Sequence, residues 1–137
     1  MSYLDDLIYD RTSADITNDT DKAYISYTDL NRVEGACREL ASLLGVTITT
    51  KTWVIGDYRT VSDMQRLADN LRTLRNAYYL RSGTPVPPSV VTYSNITEAN
   101  NVEKILADIY YMYRSVEAGK RTLSFRLGTS PIGNREV

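Results

Sequence analysis

Apolar side chains return along this chain in steps of three and four over three long stretches: Leu30, Val33, Cys37, Leu40, Leu44; then Met64, Leu67, Leu71, Leu74, Tyr78; then Ala99, Val102, Leu106, Ile109, Tyr113. That spacing gathers them on one face of an α-helix. The stretches open on related segments: Thr28-Asp29-Leu30-Asn31-Arg32-Val33-Glu34, Ser62-Asp63-Met64-Gln65-Arg66-Leu67-Ala68 and Thr97-Glu98-Ala99-Asn100-Asn101-Val102-Glu103. They begin 34 and then 35 residues apart. A repeat of that period marks a recurring structural unit. In each, a hydroxyl residue precedes an acid, a pairing that satisfies and charges the first turn of a helix.

The pattern therefore predicts helices over 29–44, 63–80 and 98–118, with stops at Gly45, near Ser82-Gly83 and at Gly119. Ile105, Met112 and Val116 widen the apolar arc of the third, which places it at the centre. The charged pairs Glu34 with Arg38 and Lys104 with Asp108, at i,i+4, read as solvated surface.

Between the first two helices, Val46 to Trp53 is rich in β-branched residues and alternates, which predicts a strand. Thr122 to Leu127 alternates as well, with Leu123, Phe125 and Leu127 on one face. These two strands pair with each other or with another subunit. Gly83-Thr84-Pro85-Val86-Pro87-Pro88-Ser89 holds three of the four prolines and is an extended spacer. Residues 1–27, with a turn at Asn18-Asp19-Thr20-Asp21, form an arm laid along the helices.

The expected fold is thus mainly α: a three-helix bundle with a small β element and an extended N-terminal arm. It divides into the arm at 1–27, the bundle with one inserted strand at 28–119, and a C-terminal strand and tail at 120–137. At 137 residues this is one domain.

Composition narrows the chemistry. Hydrophobic residues make up 42% and charged residues 24%, the balance of a folding globular chain. A formal net charge of -1 argues against a nucleic-acid partner bound by phosphate neutralisation. No apolar run is long enough for a membrane span, and the start, Met1 to Asp6, is acidic where a secretory leader is basic. With no His and one Cys, the chain lacks the parts for Ser-His-Asp or Cys-His catalysis, for His-bearing or thiolate metal sites and for an internal disulfide. No phosphate-cradling glycine motif is present. We expect no catalytic residue, no cofactor and no metal. Cys37 lies on the first stripe and reads as a small core hydrophobe.

Eleven Tyr against one Phe and one Trp is the compositional anomaly. Tyr carries a large apolar body and a polar tip, which suits half-buried sites and interfaces. Tyr79 and Tyr110 are expected to point outward. With the arm residues Leu4, Leu7, Ile8 and Tyr9 and the tail residues Leu123, Phe125 and Leu127 they form the expected interface set. The ends of the chain are expected to build an assembly while the helices form its scaffold, because an unpaired strand edge is a template for another chain.

Several of these segments together resemble a known group. Ile8-Tyr9-Asp10-Arg11-Thr12, Tyr27 to Ala36, Thr50-Lys51-Thr52-Trp53, Ser62-Asp63-Met64 and Ile96 to Leu106 are similar to proteins encoded in the structural gene blocks of tailed bacteriophages and prophages of Gram-positive, clostridia-like hosts. The resemblance spans about residues 8 to 106. It implies a virion structural protein, from the tail or baseplate region, that docks in repeated copies against other virion proteins and forms a homo-oligomer. A glycan-binding or host-surface-binding module on a tail appendage and a capsid decoration protein are the alternatives. The group carries no assigned catalytic residues to transfer. Its members often insert a polar helical stretch between the Tyr-Asp-Arg-Thr segment and the first long helix, and here that stretch is nearly absent.

Overall fold

The computed structural model describes residues 3–19 and 24–129, with side chains as far as Lys120. It is mainly helical. A 3-10 turn at Tyr3–Asp5 leads to a short helix α1 (Ser13–Thr17), followed by three long helices, α2 (Tyr27–Leu44), α3 (Val61–Asn76) and α4 (Ile96–Thr129).

The long helices begin two residues earlier than the hydroxyl-acid signature suggests, at caps Ser26, Thr60 and Asn95, and the 34- and 35-residue spacing is kept. The reason is the place of the acid, which occupies the third helical position rather than the first: in α2 its carboxylate closes a capping box, and in α3 and α4 its amide is capped by the side chain three residues before it. The Ser26 amide donates to Asp29 (2.8 Å), the Asp63 amide donates to the Thr60 hydroxyl oxygen (3.1 Å), and the Glu98 amide donates to Asn95 Oδ1 (2.8 Å). Helix α2 ends as expected on Gly45, whose φ of 74° is left-handed.

The stripes meet in one core. Leu30, Val33, Cys37 and Leu40 of α2, Met64, Leu67, Leu71 and Leu74 of α3, and Val102, Ile105, Leu106 and Ile109 of α4 are all buried. Each long helix packs on the other two, and the N-terminal 3-10 turn lies on α2 and α4. Trp53 and Val91, from the connecting segments, complete the core.

Four expectations are corrected. First, the described residues contain no β-strand. Residues 46–53 are extended, with Val46 and Ile48 against the core, but the groups that a neighbouring strand would satisfy go to helix side chains. Arg66 and Asn70 donate to the Thr49 carbonyl (3.0 and 2.7 Å), and Asn31 brackets Trp53, accepting from its amide (2.6 Å) and donating to its carbonyl (2.8 Å). Second, Thr122–Leu127 lies inside α4, which runs through Gly119 to Thr129. One mid-helix glycine costs only about 1 kcal/mol, too little to end a helix by itself. The side chains of Leu123, Phe125 and Leu127 lie outside the described residues.

Third, α3 stops at Asn76, not at Leu80. The chain folds back there. Arg75 donates to the carbonyls of Pro85 (2.9 Å) and Thr84 (3.3 Å), and Arg72 to that of Pro88 (3.2 Å), so the proline-rich spacer is held along the helix it follows. Fourth, the arm carries local helical structure of its own, in the 3-10 turn and in α1, which opens with the Thr12 amide donating to Asp15 (2.8 Å). Asn18 and Asp19 do form a turn, while Thr20 and Asp21 lie outside the described residues.

Candidate functional site

Two arrangements of polar side chains stand out, one buried and one exposed. The buried one reads the repeat in three dimensions. On α2, Asn31 brackets the backbone of Trp53, and Glu34, one turn later, accepts the Trp53 indole N–H (3.0 Å). On α4, the residues in the same register repeat the device. Asn100 brackets the backbone of Arg11 (3.0 and 2.9 Å), and Glu103 accepts from the Arg11 guanidinium (2.9 Å).

Each glutamate also receives an arginine from the second turn of another long helix. Arg66 of α3 reaches Glu34 (2.6 Å), and Arg32 of α2 reaches Glu103 through two nitrogens (both 2.7 Å). Helix α3 has Gln65 and Ala68 in the clamp positions and lacks the device.

These carboxylates correct the reading of Glu34 as surface. Glu34 does not pair with Arg38, which instead donates to the Thr50 hydroxyl (3.1 Å). It is buried, as is Glu103. Hydrogen bonds to Glu34 hold the Arg66 guanidinium protonated more firmly than usual, against the opposing effect of burial. Burial also works against the charge on Arg32, but the carboxylates of Glu103 and Asp29 outweigh it and raise its value. The clamps are structural: every atom of the carboxylates that faces the interior is matched to a donor.

The exposed arrangement is a groove of about 260 Å³ between the arm, the end of the α3 connection and α4. Leu7 and Tyr9 of the arm form one wall; Tyr110, Tyr111 and Arg114 of α4 form the other, with Arg81 at the end. Arg81 lies over the Tyr111 ring (4.0 Å) and Arg114 over the Tyr110 ring (4.6 Å), so the cations hold the aromatic faces in place. On the groove floor the expected Lys104–Asp108 pair is made (2.8 Å), and Arg81 approaches the same carboxylate (3.6 Å), although Asp108 is buried rather than solvated. Arg114 has no carboxylate partner among the described residues.

The expected interface residues divide accordingly. Tyr9 is exposed and lines the groove; Leu7 and Tyr110 line it while packing on the core. Tyr79 is exposed outside it, edge-on to Tyr78, whose ring reaches Tyr113 (5.7 Å). Leu4 is corrected: it is a buried core residue, because the amides of Tyr3 and Leu4 are held by the Glu39 carboxylate and the turn drops its side chain between α2 and α4. Ile8 is half-buried and its amide donates to Glu103 (2.8 Å). Arg81 and Arg114 escaped the sequence reading. Only the helical register of Tyr110, Tyr111 and Arg114 hints at the latter, and nothing local points to Arg81.

Among the described residues no helix is long and apolar enough to cross a membrane, and no three His, Cys, Asp or Glu side chains converge as a metal-binding group. Comparison of the chain with protein-family models, with curated proteins and with solved structures found no match.

Proposed function

We propose that this chain is a structural protein of a tailed-bacteriophage virion, of the tail or baseplate region, and that it acts by docking in repeated copies against other virion proteins rather than by catalysis. In this reading the three long helices are a bundle that serves as the scaffold. Two things support it: the resemblance of residues 8 to 106 to structural-block proteins, and the groove. The groove is the observation that carries the docking mechanism. Its Tyr and Arg side chains are the residue types that most often anchor protein interfaces, and they are already fixed by core packing and by each other, so little ordering entropy is lost on binding. Arg114, which has no carboxylate partner among the described residues, favours a partner segment that presents one.

The test is made on particles. Virions purified from an induced lysate of the strain that encodes the chain should contain it, and Arg114→Glu and Tyr111→Ala should each remove it from particles while leaving its melting temperature unchanged. Particles that lack the wild-type chain would overturn the proposal. Retention of the chain on host cell-wall polysaccharide, with none on particles, would move the reading to the glycan-binding alternative, which the exposed rings of Tyr9 and Tyr111 also suit.

A further inference from the structure

A second surface, on the side of the molecule built by Trp53 and the start of α3, presents apolar side chains that the fold does not use. The chain leaves the core at Trp53, makes a tight turn and re-enters at α3. The Asp57 amide donates to the Val54 carbonyl (3.1 Å), the Val54 amide donates back to the Asp57 carboxylate (2.9 Å), and Gly56 supplies the positive φ of 90° the turn requires. Val54 and Val61 are exposed, and Ile55 and Tyr58 are 82% and 86% exposed. Large apolar groups held this far out at one place mark an interaction surface. The turn is also rigid at its base, since the Trp53 backbone and indole are both fixed by Asn31 and Glu34.

Beside the projecting turn lies a hollow of about 370 Å³ lined by Ile25, Tyr27, Leu30, Trp53 and Ile55. A knob and a hollow adjacent on one face are self-complementary about a two-fold axis, which seats each knob in the partner's hollow. The charges point the same way. Among the described residues Asp57 has no cationic partner, and Arg59, two residues on, meets only the Tyr93 ring (5.8 Å) and no carboxylate. A two-fold axis through the turn would set Asp57 of one copy against Arg59 of the other, twice.

We propose that residues 53–61, with the adjoining hollow, form a two-fold contact between two copies of this chain, with Ile55 and Tyr58 as its apolar anchors and reciprocal Asp57–Arg59 pairs at its rim. The proposal rests on the reading that the chain works in repeated copies and adds which surface joins them.

Sedimentation equilibrium of the full chain tests it. The wild type should show a concentration-dependent monomer–dimer equilibrium. Asp57→Arg and Arg59→Asp should each weaken dimerisation at least tenfold, since each sets like charges against each other twice. An equimolar mixture of the two variants should dimerise again, because both contacts then pair opposite charges. Ile55→Asp, at a position outside the core, should abolish the dimer with no change in melting temperature, and it covers the case in which Asp57→Arg disturbs the turn. A wild type that stays monomeric up to about millimolar concentration, a dimer that survives all three substitutions, or a mixture that fails to re-associate would overturn the proposal. Loss of the dimer in solution and loss of the chain from particles are separate readouts, so failure here is distinct from failure of the virion reading.

Discussion

Arg11 and Glu103 meet at 2.9 Å with both side chains 1% exposed, joining the arm to the middle of the core. Glu103 answers at once to Arg11, to Arg32 and to the Ile8 amide. Removing it takes away a buried carboxylate to which both the Arg11 and Arg32 guanidiniums donate. Glu103→Ala should therefore cost about 3 to 5 kcal/mol, the usual penalty for removing one partner of a buried ion pair. Denaturant unfolding measures the loss, and hydrogen exchange at the Ile8 amide should quicken with it.

The apolar stripe gives a second expectation. Leu71 is fully buried at the centre of α3, between Leu67 and Leu74. Truncating it to Ala removes three heavy atoms from a packed interior and should cost about 2 to 5 kcal/mol, read from the midpoint of urea unfolding.

Cys37 is buried on α2, and burial, reinforced by the nearby Glu34 carboxylate, pushes its thiol well above the ordinary value. The reactive thiolate is then nearly absent at neutral pH. A thiol-specific reagent at pH 8 should leave the native chain unmodified over hours and label it fully in guanidinium. Rapid native labelling would mean that α2 opens locally.

Asp63 titrates in the opposite sense. The Thr60 hydroxyl, opposed by burial and aided by Lys51, holds its carboxyl below the usual range. A carboxyl that is lower in the folded than in the unfolded chain contributes stability that is complete above the ordinary Asp value of about 3.9 and is lost as pH falls through the lowered value. The stability difference between wild type and Asp63→Asn should stay constant from pH 7 to about 4.5 and shrink below about 4.

Much of the helical frame was legible in the sequence because stripe spacing, caps and the Gly45 stop are local signals. Leu67 is buried for the reason its spacing gives. The failures have a common physical origin in side chains that act over long sequence distances. Val46 to Trp53 looks like a strand because its residues prefer extended backbone, yet whether a strand forms depends on a neighbour, and here Asn31, Arg66 and Asn70 supply the hydrogen bonds instead. Glu34 looks solvated because Arg38 is near in sequence, whereas its partners Arg66 and Trp53 are near only in space. The groove was half legible: Tyr9 and Tyr110 carry an exposed-aromatic signal, but their meeting with Arg81 is set by the chain reversal after Asn76. Gly35 was silent as well. A Cβ there would stand 2.6 Å from Tyr3 Cε2, so this mid-helix glycine makes room for the arm.

The two glutamate clamps, alike in chemistry, differ in when a growing chain can close them. Glu34 and Trp53 are 19 residues apart, and the helix and the segment it binds leave the ribosome almost together. Arg11 and Glu103 are 92 apart, so Arg11 is synthesised well before α4, and its bond to Glu103 waits for that helix. Closing that longer loop costs more chain entropy than closing the Glu34 clamp, so the second clamp is the slower of the two to form. Until a chain's own α4 has been made, its Arg11 segment stays open to the α4 of a neighbouring copy.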